Sequence, residues 1–147
     1  MLFRSWSLER RQSLVDLADV AEVAAMVLMD SDRHAAATYE LVAPGRYAAH
    51  DLAAIIGRVL GRPIPVEEIS ADTFLKEFFG DVGPEQFPHE TRVLRAITKY
   101  YSGHDFVGNP NTLTWLLGRA PTTYESFVRR QYEDYLRNGK MSFSGAR

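Results

Sequence analysis

Two carboxylates near the start of the chain, Asp16 and Asp19, stand three residues apart and could serve as a general acid and a general base. The alternative interpretation is structural. Asp19 stands where an amphipathic helix is predicted to begin, so its carboxylate can accept hydrogen bonds from backbone N–H groups two and three residues further on. Asp16 then lies at the end of a short strand. We favour the structural interpretation, in which the Asp19 cap contributes about 1 kcal/mol to stability.

A second group that could carry chemistry is aromatic and titratable. Tyr100, Tyr101 and His104 cluster at a predicted helix end, beside Phe106. An aromatic wall next to a titratable group is typical of a substrate cleft. The other interpretation is a partly buried helix terminus with exposed rings, which requires no ligand. We name Tyr100, Tyr101 and His104 as substrate-cleft candidates and predict no catalytic residue.

Other patterns that carry chemistry are missing from the sequence. The four histidines are scattered, and His89 lacks the second histidine of a zinc-binding helix, so no metal site is predicted. The chain contains no cysteine, which excludes disulfides and a thiol nucleophile. None of the ten glycines forms the GxGxxG turn of a dinucleotide site, so we predict no cofactor-binding residue. Arg62 and Arg119 could bind phosphate, but a cation that follows a helix C-terminus is favourable by itself.

Composition limits the classes of partner. The formal net charge is −2, with 46% apolar and 24% charged residues, which gives no electrostatic reason to expect nucleic acid or an anionic membrane. No stretch of the sequence approaches the roughly 20 apolar residues of a membrane span. We therefore expect a small-molecule substrate or a protein as partner, and a cytoplasmic location.

The elements that must position these residues follow from hydrophobic periodicity and turn residues. Three short strands are predicted, at residues 14–17, 38–42 and 64–69, the last beginning near Pro65. The helices are predicted from Asp19 to Met29, from Leu52 to Gly61, from Ser70 to Gly80, from Pro84 to Tyr101, from Asn111 to Gly118, and from the Thr122–Glu125 capping box to Asn138. One side of the last helix is predicted to carry Tyr124, Phe127, Val128, Tyr132, Tyr135 and Leu136. About three strands and five to six helices in this order favour an α/β fold.

Four phenylalanines lie close together in the third and fourth predicted helices. They could form the wall of an apolar pocket or the core face of a helix. Aromatic residues at helical spacing are most often core, and we predict that role here for Phe74, Phe78, Phe79 and Phe87.

Four segments resemble a known family when their order and spacing are taken together. Residues 13–21, SLVDLADVA, are similar to a strand-to-helix segment written VDvrDVA, and residues 38–41, TYEL, to a strand written tYeLtgp. Residues 51–64, DLAAIIGRVLGRPI, resemble the helix eLAailsevLGRpI, and residues 116–128, LLGRAPTTYESFV, resemble lLGRpPtsfeeFv. These are segments of the C-terminal part of NmrA-like proteins, which belong to the atypical, extended short-chain dehydrogenase/reductase superfamily.

The resemblance implies a helix-rich substrate lobe of a Rossmann-type NAD(P)-binding fold. We divide the chain into an N-terminal remnant (1–12), an NmrA-like C-terminal region (13–137) and a flexible tail (138–147). The family's nucleotide-binding half would precede residue 13, and only about a dozen residues stand there, so we expect a truncated form without its own dinucleotide site. The Tyr-x-x-x-Lys pair of classical short-chain dehydrogenases is also absent.

Two functions follow from this resemblance. The first is the substrate-binding lobe of an NAD(P)-dependent oxidoreductase whose Rossmann half lies elsewhere. The second is a non-catalytic regulatory or protein-interaction module of the NmrA type. Because a lobe without its sheet exposes apolar surface, we expect the chain to form a homo-oligomer or to bind the missing half.

Overall fold

The computed structural model describes residues 3–5 and 7–139, and the predicted tail beyond Gly139 lies outside these residues. Within them the chain forms two three-residue strands and six α-helices. In chain order they are β1 (Phe3–Ser5), α1 (Leu17–Met29), α2 (Ala49–Leu60), β2 (Val66–Glu68), α3 (Ala71–Phe79), α4 (Pro88–Gly103), α5 (Asn111–Leu117) and α6 (Tyr124–Asn138).

One of the three predicted strands is confirmed. β2 lies inside the predicted segment 64–69, directly after Pro65, and pairs in parallel with β1 so that Phe3 faces Val66. The predicted strands at 14–17 and 38–42 are wrong. Leu17 belongs to α1, and the N–H of Ala43, directly after the second segment, donates one hydrogen bond to the Leu14 carbonyl at 2.7 Å. A strand needs consecutive pairing with one neighbour, and these segments have none.

The chain around Gln12 shows how the loops are joined instead. Gln12 exchanges two backbone hydrogen bonds with Tyr47, at 2.9 and 2.8 Å, and the next N–H, of Ser13, donates to the Phe106 carbonyl at 2.8 Å. These contacts connect segments 35 and 93 residues away in sequence. They hold the start of α1 beside the loop that precedes α2 and the loop that follows α4.

Helix ends were predicted well where a local residue sets them. Gly61 and Gly118 end α2 and α5 in the left-handed conformation, at φ 67° and 65°. Ser70 caps α3, its Oγ accepting from the Thr73 N–H at 3.1 Å. Thr123 caps α6 in the same way, accepting from the Ser126 N–H at 3.1 Å.

Two helix starts differ from the prediction. α1 begins at Leu17 and is capped by Asp16, whose Oδ1 accepts from the Ala18 N–H at 3.0 Å, so Asp19 is not the cap. α4 begins at Pro88 and not at Pro84, because Phe87 leaves the helical region at φ −129° and ψ 66°. A residue before proline is sterically disfavoured from helical geometry, and residues 84–86 form only a single 3₁₀ turn.

The core lies around α2. Ala53, Ile55 and Ile56 of this helix pack with Ile64 and with Val128 of α6. Further out, α1 packs on α5 and α3 packs on α4. Leu75 in α3 and Leu113 in α5 are fully buried. None of the helices among the described residues has the length and apolar character needed to cross a membrane.

The phenylalanine group is not core. Phe78 is 60% exposed and Phe87 is also exposed, so the prediction that these rings form a core face is wrong. The rings contact one another in series: Phe78 meets Phe79 edge-on at 5.1 Å, and Phe79 stacks on Phe87 at 5.1 Å. Phe74, Phe78 and Phe79 lie in α3, where Leu75 is the buried residue, whereas Phe87 precedes α4 with a non-helical backbone.

Candidate functional site

Asp19 is a buried anchor in the first turn of α1. Its side chain is 1% exposed, and its oxygens accept from the Thr122 N–H at 2.6 Å, the Thr122 hydroxyl at 3.1 Å and the Arg119 guanidinium at 2.8 Å. Arg119 also pairs with Glu22, one helical turn further along α1. Asp19 therefore connects α1 to the link between α5 and α6.

Asp16 makes the second connection from the same helix start. One oxygen caps α1, and the other binds the guanidinium of Arg130 on α6. Arg130 also lies 5.7 Å from the centre of the Phe127 ring, within cation–π range. Both carboxylates are thus occupied by structural partners, which is the arrangement expected of connecting ion pairs and not of an acid and a base facing a substrate.

Burial by itself raises the pKa of Asp19, because a charge is poorly solvated in the interior. Hydrogen bonds from the Thr122 backbone and from Arg119 stabilise the ionised form more strongly. As a result the pKa of Asp19 lies below its ordinary value. The ionised form of Asp19 is therefore more stable, relative to the protonated form, in the folded protein than in the unfolded chain.

This shift predicts a dependence of stability on pH. A carboxyl group with a lowered pKa in the folded state stabilises above its unfolded pKa, about 3.9, and loses that contribution as the pH falls through the folded value. We expect Asp19→Asn to be less stable than wild type by a constant amount between about pH 7 and 5, and the difference to shrink below about pH 4. Urea midpoints measured across this range test it, and a difference that stays constant into acid contradicts it.

The substrate-cleft candidates do come together. The Tyr100 ring stacks on His104 at 4.5 Å and meets Tyr101 edge-on at 5.4 Å, while Tyr101 lies 5.0 Å from Phe106. His104 Nδ1 is 2.9 Å from the Tyr100 carbonyl, so the ring is held over the last turn of α4. Tyr100 and His104 are exposed and Tyr101 is half-buried. Their role toward a substrate stays a prediction.

A concave groove lies between α2 and α6, and the sequence did not reveal it. We call it the α2–α6 groove; its volume is about 630 Å³. Ile56 and Leu60 line it from α2, and an aromatic row lines it from α6, formed by Tyr124, Phe127, Tyr132 and Tyr135. The row was predicted as one apolar side of the last helix. Only the structure shows that this side is partly open, since Tyr135 remains half exposed.

Exposed ion pairs connect the two walls of the groove, which are also joined by the core. Arg58 on α2 binds Glu125 on α6 at 3.1 Å, and Glu125 also binds Arg129 at 3.0 Å. These bonds lower the pKa of Glu125, with Arg58 contributing most. Burial raises the pKa of the Tyr124 hydroxyl on the groove wall, so this group stays protonated and can donate a hydrogen bond.

Several solved structures share this architecture. No family model matches the sequence, and no curated protein matches it. A nucleoside-diphosphate-sugar epimerase from Staphylococcus aureus superposes with a TM-score of 0.68 at 19% identity, over 88% of this chain and 43% of its own. The triphenylmethane reductase of Citrobacter sp. gives 0.66 at 23% identity, over 86% and 42%. An NADPH-dependent quinone oxidoreductase of Escherichia coli, in complex with NADPH, gives 0.66 at 21% identity, over 89% and 45%.

The chain has the fold of part of the NmrA-like reductases and epimerases. The family resemblance is therefore confirmed at the level of the fold. The chain spans less than half the length of the solved structures it matches. The α/β class is confirmed in its coarse form, as a helix-rich part of a Rossmann-like fold with fewer strands than predicted.

The N-termini of the described helices differ from the helix N-terminus of a dinucleotide site. A pyrophosphate binds at a helix N-terminus with free N–H groups and positive potential. Each described helix longer than eight residues has an acidic residue in its first turn, and this charge opposes a pyrophosphate. These residues are Asp19, Asp51, Asp72, Glu90 and Glu125.

Proposed function

We propose that the chain supplies the substrate-side lobe of an NAD(P)-dependent oxidoreductase of the NmrA-like type, with the dinucleotide held by residues outside this sequence. The observation that carries the proposal is the asymmetry of the structural match. Nearly all of this chain is covered, but only 42% to 46% of each neighbour, two of which are complexes with NADP(H) or NADPH. The acidic residues in the first turns of the longer described helices support a dinucleotide site that lies outside this sequence.

The features that suit this role are a preformed cavity and a rigid frame. The α2–α6 groove has the apolar, aromatic lining of small-molecule sites. The two carboxylates at the start of α1 hold the segments around it, because Asp16 binds α6 directly and Asp19 binds the residues just before α6. Tyr100, Tyr101 and His104 provide a second aromatic surface for a substrate.

The experiment has two arms, one with the chain alone and one with a hybrid protein. In the hybrid, this chain replaces the matching part of the Citrobacter triphenylmethane reductase and is joined to the part it does not match. We expect calorimetric titration of the chain alone with NADPH to give no measurable heat. We expect the hybrid to bind NADPH, with the unmatched part alone as control. Tight binding of NADPH by a single copy of this chain contradicts the proposal.

A second candidate function is a non-catalytic regulatory or protein-interaction module. It is favoured by the large apolar side chains that the described surface exposes, among them Leu28, Met29 and Trp115. Exposed apolar surface of this kind is typical of association sites. A stable homo-oligomer in light scattering, together with a hybrid that does not bind NADPH, supports this function; a monomer with an NADPH-binding hybrid supports the first.

A further inference from the structure

We propose that the α2–α6 groove binds a small apolar, ring-containing molecule that carries one anionic group, such as an aromatic carboxylate or sulfonate. The proposal deepens the proposed function, on which the identification of this ligand as a substrate rests. It is argued from the size of the groove, the rings that line it and the charges around it.

Size and lining favour a small molecule. The groove volume of about 630 Å³ lies within the range of ligand pockets, about 300 to 1,000 Å³. Tyr124, Phe127, Tyr132 and Tyr135 present four rings from a single helix. Flat aromatic ligands gain from offset or edge-on contact with such rings beyond the area they bury. The walls are formed before binding, since α2 and α6 share the core and the Arg58–Glu125 ion pair.

The charged residues at the groove favour a ligand with an anionic group. Arg62 follows the end of α2, is exposed and lines the groove. Its guanidinium has no carboxylate partner among the residues that the structure describes, whereas the neighbouring Arg58, Arg129 and Arg130 are each paired. No acidic side chain of the described residues lines the groove.

The guanidinium is therefore available to a ligand. A carboxylate or sulfonate can accept two parallel hydrogen bonds from it, which are stronger than bonds between neutral groups. Tyr124, whose hydroxyl stays protonated, also lines the groove. A ligand with an apolar body and one anionic end thus matches both the aromatic lining of the groove and Arg62.

The test uses two fluorescent probes that differ in charge. Anilinonaphthalene sulfonate is an aromatic anion, and N-phenylnaphthylamine is its neutral counterpart. We expect wild type to bind one sulfonate probe per chain. We expect Arg62→Gln to weaken the sulfonate about tenfold, as for the loss of one charge-assisted contact, and to leave the neutral probe unchanged. Arg33→Gln makes the same charge change on a residue that does not line the groove, and it should leave both probes unchanged.

A second pair of variants locates the site. Leu136 lines the groove and is 65% exposed, so Leu136→Glu adds a carboxylate there without burying it. We expect it to weaken the sulfonate probe more than the neutral one. Leu28→Glu is the control on α1, at a residue that is 80% exposed and remote from the groove lining. Equal urea midpoints for all variants establish that binding, and not folding, has changed.

The outcomes separate the ligand site from the function. Equal sulfonate affinity in wild type and Arg62→Gln overturns the anion site. Binding that appears only when a homo-oligomer dissociates shows that a second copy covers the groove, and this also overturns the proposal. If both probes behave as expected but the hybrid fails to bind NADPH, the groove is a ligand site and the proposed oxidoreductase function is the part that fails.

Discussion

Asp19→Ala is expected to lower the free energy of unfolding by about 3 kcal/mol. The carboxylate is fully buried and accepts three hydrogen bonds, from the Thr122 backbone, the Thr122 hydroxyl and Arg119. Removing it leaves the Thr122 N–H without its acceptor and leaves only the exposed Glu22–Arg119 ion pair to connect α1 with this link by side-chain hydrogen bonds. Bonds to a charged group are each worth about 1.5 to 3 kcal/mol, and the exposed side of Arg119 recovers part of the loss by hydration. Urea denaturation followed by circular dichroism measures the change.

Glu22→Ala is the matched control for this prediction. Glu22 binds the same guanidinium from the same helix, but its side chain is 53% exposed. An exposed ion pair contributes little, so we expect a change below about 1 kcal/mol. The two variants also separate two roles for Asp19. A helix cap predicts a loss of about 1 kcal/mol, and a measured value that small contradicts the buried connection.

We expect Asp16→Ala to lower the free energy of unfolding by about 2 kcal/mol. About 1 kcal/mol comes from the lost cap on the Ala18 N–H. The remainder comes from the bond to Arg130 on α6, which is reduced because the guanidinium is partly exposed. Thermal and urea unfolding measure it.

Asp134→Ala is the control for Asp16. It removes a carboxylate that binds Arg137 three residues along α6, in a pair near the surface. This pair lies within one helix, so its loss is expected to cost about 0.5 kcal/mol or less. Equal losses in the two variants contradict a special role for Asp16 at the start of α1.

Several boundaries of the fold were predictable because they depend on neighbouring residues. Gly61 and Gly118 adopt positive φ at helix ends, where a side chain is penalised. Ser70 and Thr123 cap helices with a hydroxyl that reaches the N–H three residues later. Pro65 placed the start of β2 after it, because proline has no N–H to donate to a ladder.

The start of α1 could not be settled in the same way. Asp16 and Asp19 are both good capping residues, and each is followed by helix-forming residues. The choice between them depends on Thr122, 103 residues further along, which takes the Asp19 carboxylate away from its own helix N-terminus. No local pattern contains that contact.

The α2–α6 groove illustrates the same limit. Helical periodicity predicted that Tyr124, Phe127, Tyr132 and Tyr135 share one side of α6. It did not show that α2 would cover only part of this side. Likewise, helical spacing predicted a core role for the phenylalanine group, but packing left Phe78 and Phe87 exposed.

The amino-acid sequence alone determined several helix ends, the order of the six helices and the family resemblance, because caps, turns and periodicity act over a few residues. The tertiary structure decided which carboxylate caps α1, which aromatic faces stay open, and which extended segments become strands. These outcomes depend on hydrogen bonds and contacts between residues 63 to 114 positions apart, as for Phe3 with Val66 and Asp16 with Arg130. Such contacts form only when the helices pack, so the candidate ligand site is a property of the assembled fold.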